Sequence, residues 1–171
     1  MAKRDLSVQE LRAFVSYDPL TGLFTRLVKT NRQCIMTPWA GVLTKRGNRS
    51  LCVKGSAHAA HRLAWLYMTG QWPTLEIDHI NGDPADNKFA NLREASSGQN
   101  KQNRHKIRSD NKHGLIGVHI HDRSKKTGLP VWRAKIHLNG KAHHIGLYNT
   151  PEEAQAAYVE AKRRLHPFGM L

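Results

Sequence analysis

Glu76-Ile77-Asp78-His79-Ile80-Asn81-Gly82-Asp83 opens a stretch that runs on through Asp86-Asn87 and Asn91-Leu92-Arg93. It closes on Gln99-Asn100-Lys101-Gln102-Asn103-Arg104. A carboxylate adjoins an imidazole, a Gly-Asp-Pro loop follows, and side-chain amides recur beyond it. Carboxylate and amide oxygens suit a hard divalent cation such as magnesium. A neutral imidazole takes a proton near neutral pH. The stretch therefore reads as a metal site with a general base beside it. Leu75 to Ile80 is strand-like, Asn81 to Asn87 is a loop, Asn91 to Ala95 is a second strand, and a helix starts near Ser97, capped by Ser96 or Ser97. Adjacent residues of a strand face opposite ways, so Asp78 and His79 serve one substrate only if the strand ends or bends there.

Charge is distributed unevenly around this centre. The chain has 171 residues and a net charge of +14. Residues 1–75 carry +8, residues 76–104 carry −1 and residues 105–171 carry +7. Two basic arms flanking an acidic centre point to a polyanionic partner, with phosphates drawn to the arms and a cation drawn to the centre. A hydrophobic content of 39% fits a soluble globular chain. No apolar run approaches the roughly 18 residues of a membrane span, so no membrane partner is expected. The amino terminus lacks a secretory segment. Cys34 and Cys52 form no Cys-x-x-Cys pair and read as buried thiols in a reduced, cytoplasmic setting.

The flanks read as two modules of an α+β chain. Leu6 precedes a Ser7-Val8-Gln9-Glu10 capping box, which predicts a short helix to about Ser16. Asp18-Pro19-Leu20-Thr21-Gly22 is a turn, followed by a strand over Leu23 to Val28 and another over Leu51 to Val53. His58 to Thr69 reads as a helix with an Ala60, Leu63, Ala64, Tyr67, Met68 stripe, ended by Gly70. His61, beside that stripe, reads as packed or capping rather than catalytic. His105 to His113 reads as a linker. Three strands then follow, over Ile116 to His121, Val131 to Leu138 and Ala142 to Tyr148, with Asn139-Gly140 as a hairpin turn. Thr150-Pro151-Glu152-Glu153 opens a final helix.

Hydrolysis of a phosphodiester needs a nucleophile, charge stabilisation at phosphorus and help for the departing 3′ oxygen, and a divalent metal can serve the last two. Asp78 is the evident anionic ligand and His79 the evident base. These residues resemble the HNH family of nucleases, built on a two-strand-and-helix finger around one metal. The resemblance implies His79 as general base, Asp78 and Asn100 as ligands of Mg2+ or Mn2+, and Asn91 as the residue that braces the loop and orients His79. Asn103, one helical turn from Asn100, is the alternative ligand. Only two cysteines are present, so the four-cysteine structural zinc of many family members is not expected.

The carboxy-terminal stretch resembles the Apetala2-type DNA-binding domain at Gly117-Val118, Trp132 to Ile136, Gly140-Lys141, Ile145 to Tyr148 and Thr150 to Ala154. That resemblance implies a three-stranded antiparallel sheet in the DNA major groove with one helix behind it. The outward candidates are His119, His121, Arg123, Arg133, Lys135, His137, Lys141 and His143, joined in the finger by Arg93, Lys101 and Arg104. Trp132 either stacks on DNA or packs within the domain. The layout as a whole is similar to phage homing endonucleases. Its expected organisation is a nuclease domain over 1–104 (finger about 75–104), a basic linker over 105–112 and a DNA-binding domain over 113–171. The expected partner is double-stranded DNA, bound by a monomer or homodimer in a bacterial or phage-infected cell.

Overall fold

The computed structural model describes residues 6–28, 38–39, 41–103, 111, 113–138 and 140–169. It is mixed α and β, built from small antiparallel sheets and short helices. Its contacts divide into two compact units, Met1–Ser96 and Ser97–Leu171. The expected linker falls almost wholly outside the described residues, as does Cys34. Among the described residues no helix is long and apolar enough to cross a membrane.

The first unit begins with α1 (Val8–Phe14). The expected capping box is present: Ser7 Oγ accepts from the Glu10 amide at 3.2 Å, and Glu10 Oε2 accepts from the Ser7 amide at 3.0 Å. The helix stops two residues short of Ser16, because Val15 to Asp18 pair instead as a strand. This β1 (Val15–Asp18) joins β2 (Leu23–Arg26) in a hairpin, and β2 pairs with β3 (Pro38–Trp39). Val15 and Tyr17 alternate into the core, a period-2 pattern that a helix cannot satisfy. A second sheet has the order β4 (Val42–Leu43), β5 (Arg49–Val53), β6 (Ser56–Ala59). Helix α2 (Ala60–Thr69) starts two residues later than expected, since His58 and Ala59 pair with Leu51 and Ser50. Gly70, at φ +80°, ends it, its backbone N–H donating a hydrogen bond to the Leu66 carbonyl. Cys52 is exposed rather than buried, because it lies between the inward-facing Leu51 and Val53. Leu11, Phe24, Leu51, Leu63 and Leu66 form the centre of this core.

The last pair in this unit is β7 (Glu76–His79) with β8 (Leu92–Ala95), registered Asp78 to Arg93 and His79 to Leu92. Between them lie the 80–88 loop and a 3-10 turn, Phe89–Asn91. Helix α3 (Ser97–Gln102) follows in the expected order but belongs to the second unit.

That unit also holds β9 (Val118–Arg123), β10 (Pro130–Leu138), β11 (Lys141–Tyr148) and α4 (Pro151–Leu165). The sheet order is β11-β10-β9, antiparallel throughout. Thr150 caps α4, its hydroxyl accepting from the Glu153 amide at 3.2 Å, with Pro151 at the first helical position. Val118, Trp132, Ala134, Ile136, Ala154 and Tyr158 form the core. Trp132 therefore packs within the unit, 8% exposed, with the His113 ring edge-on at 5.0 Å.

The β1–β2 turn presses on the 80–88 loop. Gly22 sits at φ +74°, and a Cβ there would lie 2.6 Å from the backbone of Asn87 and Lys88. Gly22→Ala is expected to cost about 2 kcal/mol or more in urea unfolding, because backbone must move as well as strain. Gly55→Ala, at φ +76° with open space around it, carries only the left-handed strain of roughly 1 kcal/mol. Equal costs at the two positions would refute the close approach.

Candidate active site

Strand β7 ends at His79, and the Gly82 amide donates to the His79 carbonyl at 2.8 Å to start the loop. The strand thus terminates where the sequence requires it to. Asp78 and His79 are both buried, 5% and 7% exposed, although they are neighbours on a strand. Each meets a different set of partners. Asp78 shares its face with its cross-strand neighbour Arg93, whose Nε and Nη2 donate to Oδ2 at 2.9 and 2.8 Å. The carboxylate is thus ion-paired, and Arg93, expected on DNA, is directed onto Asp78.

The imidazole of His79 meets Asn87 and His61. Nε2 lies 3.2 Å from Asn87 Oδ1, and the Asn87 amide is oriented by its own Nδ2 donating to the Ala85 carbonyl at 3.3 Å. With the amide oxygen towards the ring, Nε2 is the ring nitrogen placed to donate to Asn87. Asn87 is 2% exposed, and its carbonyl accepts from the buried Tyr17 hydroxyl at 2.6 Å. The first hairpin therefore holds the residue that holds the base, and burial pushes the Tyr17 phenol well above its ordinary range.

Asn91 braces the loop. Its Oδ1 accepts from the Asn81 amide at 2.9 Å, and its Nδ2 donates to Asn81 Oδ1 at 3.0 Å and to the Asp86 carbonyl at 2.8 Å. None of these bonds reaches His79, so the orienting bond expected of Asn91 is made by Asn87. Asp83 and Asp86 accept from the amides of Ala85 and Lys88 and act as loop formers.

His61, at the start of α2, lies edge-on to His79 with ring centroids 5.1 Å apart. Burial, then His79 and Arg62, lowers its pKa to about 4. It therefore stays neutral at pH 7 and places no second positive charge beside His79. Periodicity alone places His61 as packed or capping. Its proximity to His79 is a contact between residues 18 apart in the chain, which periodicity does not reveal.

The remaining candidates belong to the second unit. Asn100 and Lys101 lie on α3, and Asn103 just after it is buried, its amide donating to the Asn100 carbonyl at 3.2 Å. Arg104 lies outside the described residues. On the sheet, Arg133, Lys135 and His137 alternate with the buried Trp132, Ala134 and Ile136 and so share the outer face. His119, paired with Arg133, joins them. Two irregularities change the rest. A register shift between Ala134 and Lys135 sets His144 opposite Lys135 and His143 opposite Ile136, so His144 shares the Lys135 register while His143 is exposed as well. Lys141 faces Leu138. A second shift passes over His121 and sets Arg123 opposite Pro130, its guanidinium donating to the Gly128 carbonyl at 3.2 Å.

Residues 58–102 match the model of a known family, the HNH endonucleases. The matched segment runs from β6 through α2, β7 and β8 to α3, and so includes His61, Asp78, His79, Asn87 and Asn91. It supports an HNH nuclease, an enzyme class that suggests DNA as substrate and generally uses a divalent metal ion. No curated protein and no solved structure matches the chain. Among the described residues no three His, Cys, Asp or Glu side chains cluster as a metal site. A carboxylate with amide oxygens is in general a donor set that suits a small hard cation that keeps several waters.

Two stability measurements check this geometry. Arg93→Met is expected to cost about 2–3 kcal/mol in metal-free urea unfolding, since it strands a buried carboxylate. Asp78→Asn/Arg93→Met should regain most of that loss, and a double variant no better than the single would refute the pairing. His61 binds fewer protons folded than unfolded, so its penalty is absent above about pH 6.5 and grows as pH falls towards 4. Wild-type stability is expected to drop by about 1 kcal/mol per pH unit across that window. His61→Phe should flatten the slope, and an unchanged slope would refute the neutral buried imidazole.

Proposed function

We propose that the chain is a metal-dependent HNH-type endonuclease that hydrolyses phosphodiester bonds in double-stranded DNA. The observation that carries this reading is the buried Asp78-His79 pair, with His79 oriented by Asn87, inside the segment that matches the HNH endonuclease family. In this reading His79 Nδ1 takes the proton of a water whose oxygen attacks phosphorus. The bond from phosphorus to the 3′ oxygen breaks, and that oxygen takes a proton from a second water, leaving a 5′ phosphate and a 3′ hydroxyl. Asp78 and Asn100, or Asn103 in its place, would hold one Mg2+ or Mn2+, which would neutralise charge on the phosphoryl and departing oxygens. Asn91 keeps the 80–88 loop in the shape that presents His79.

The functional domains in this proposal are the nuclease over 1–104, a linker over 105–112 and a DNA-binding domain over 113–171. The outer face of the sheet, with Arg133, Lys135, His137, His119 and His144, lies in the major groove, where a β-ribbon fits. His121, Arg123, Lys141 and His143 serve at its edges, with Lys101 and Arg104 near the finger. This layout is that of a phage-type homing endonuclease with an Apetala2-like reader. One active site per chain makes the monomer a nicking enzyme and a homodimer a double-strand cutter.

A second reading, a non-catalytic DNA clamp, draws on the Asp78–Arg93 ion pair, which satisfies the carboxylate without a cation. Nicking of supercoiled plasmid in Mg2+ or Mn2+ separates the two. Wild-type protein is expected to nick, and His79→Ala is expected to fall by about 100-fold or more. A His79→Ala variant cutting at the wild-type rate would overturn the assignment, and binding without any cutting would favour the clamp. Arg133→Gln/Lys135→Gln is expected to lose site preference while still nicking; unchanged preference would refute specificity in the sheet.

A further inference from the structure

The face of the first unit on the far side of His61 has a basic cleft that catalysis as drawn does not use. It measures about 440 Å³ and lies between the β4–β5 turn, strand β6 and the start of α2. Lys45, Arg46, Arg49, His58 and His61 line it, and among the described residues no carboxylate does. Two of these lining residues also carry a buried polar atom without a hydrogen-bond partner among the described residues, Arg49 Nε and His61 Nδ1. Buried polar atoms are rarely left unsatisfied, which sets these two residues apart from the rest of the lining. Arg49 is held in position by its Nη1 donating to the Gly41 carbonyl at 3.3 Å. Lys45 and Arg46 are exposed on the turn and pair with no carboxylate among the described residues. Ala59, also on the wall, is the N-cap of α2, and no side chain caps that end. A helix amino terminus, a guanidinium and ammonium groups together form an anion site.

Its position matters as much as its charge. His61 belongs to the cleft wall and also touches the His79 ring. On the other side, the turn reaches the catalytic loop: a Cβ on Gly47 would lie 3.2 Å from Pro84 Cγ. The cleft and the Asp78-His79 centre are therefore neighbours through two separate contacts within one unit.

We propose that this cleft holds a backbone phosphate of DNA adjacent to the scissile one, with Arg49, Lys45 and Arg46 as its donors. The inference rests on the nuclease reading for its geometry, but its test reads binding rather than cutting. A phosphate seated there fixes the strand on one side of the reacting bond and supplies positional restraint. His61 acts as a positioning residue, lining the cleft while its ring lies edge-on to His79.

The test uses the full chain with His79→Ala, so that duplex DNA survives, and measures affinity against salt. Lys45→Gln/Arg46→Gln/Arg49→Gln is expected to weaken binding tenfold or more and to lower the log-log salt slope by about 1. A control of equal charge, Lys126→Gln/Arg163→Gln/Arg164→Gln, separates the cleft from general attraction. Duplexes with one methylphosphonate, stepped through the positions flanking the cut, locate the contact. One flanking position should weaken the parent and the control but leave the cleft variant unaffected. If Arg49→Gln impairs folding by circular dichroism, Lys45→Gln/Arg46→Gln carries the same test. Equal sensitivity of parent and cleft variant at every position would overturn the proposal. So would stabilisation by inorganic phosphate, at constant ionic strength, without any methylphosphonate effect, since the cleft would then take a free anion. A wild-type chain that shows the position-dependent effect but never nicks retires the nuclease reading and leaves the cleft standing.

Discussion

Two adjacent polar residues, Asp78 and His79, are buried at the end of a four-residue strand, and much of the first unit is arranged to make that tolerable. A desolvated carboxylate is costly by several kcal/mol unless it is paired and hydrogen-bonded. Arg93 meets that need from the neighbouring strand, at the register position directly opposite. The imidazole is met from two other directions, by Asn87 in the loop and by the His61 ring on α2. Neighbours on a strand diverge, so the partners had to come from different elements.

The loop between the two strands is held from both ends. Asn91 closes it through a reciprocal amide pair with Asn81, and the first hairpin closes it through Tyr17 and the tight approach of Gly22. Small sheets with few buried residues offer little rigidity on their own. Side-chain amides replace regular ladder bonds here and give a short irregular segment one conformation. That explains how an irregular segment can steady the strand end that presents the candidate base, and why so many asparagines are concentrated in it.

In the second unit the outer face of the sheet is shaped by pairing irregularities. Alternation along β10 makes Arg133, Lys135 and His137 outward once Trp132 and Ile136 are inward. On the flanking strands one skipped residue reverses the parity, which sets His144 rather than His143 opposite Lys135 and Arg123 opposite Pro130, with all three exposed. A face inferred by counting alternate residues holds only as far as the first bulge.

By itself the sequence determined what local chemistry controls. The α1 capping box, the Gly70 stop, the Thr150-Pro151 helix start, the two paired strands around the loop and the three-stranded sheet with its helix all follow from short-range rules. Asp78 and His79 were legible by residue type as a ligand and a base, and Asn91 joined them through the resemblance to the HNH family. Only the tertiary structure decided which partner each one has. That Asn87 rather than Asn91 orients His79, that Arg93 lies on Asp78, and that His61 joins a basic cleft to the imidazole all depend on elements distant in the chain meeting in space. Propensity and periodicity describe a residue's own neighbourhood, whereas partner choice is set by how helix, hairpin and loop pack on one another.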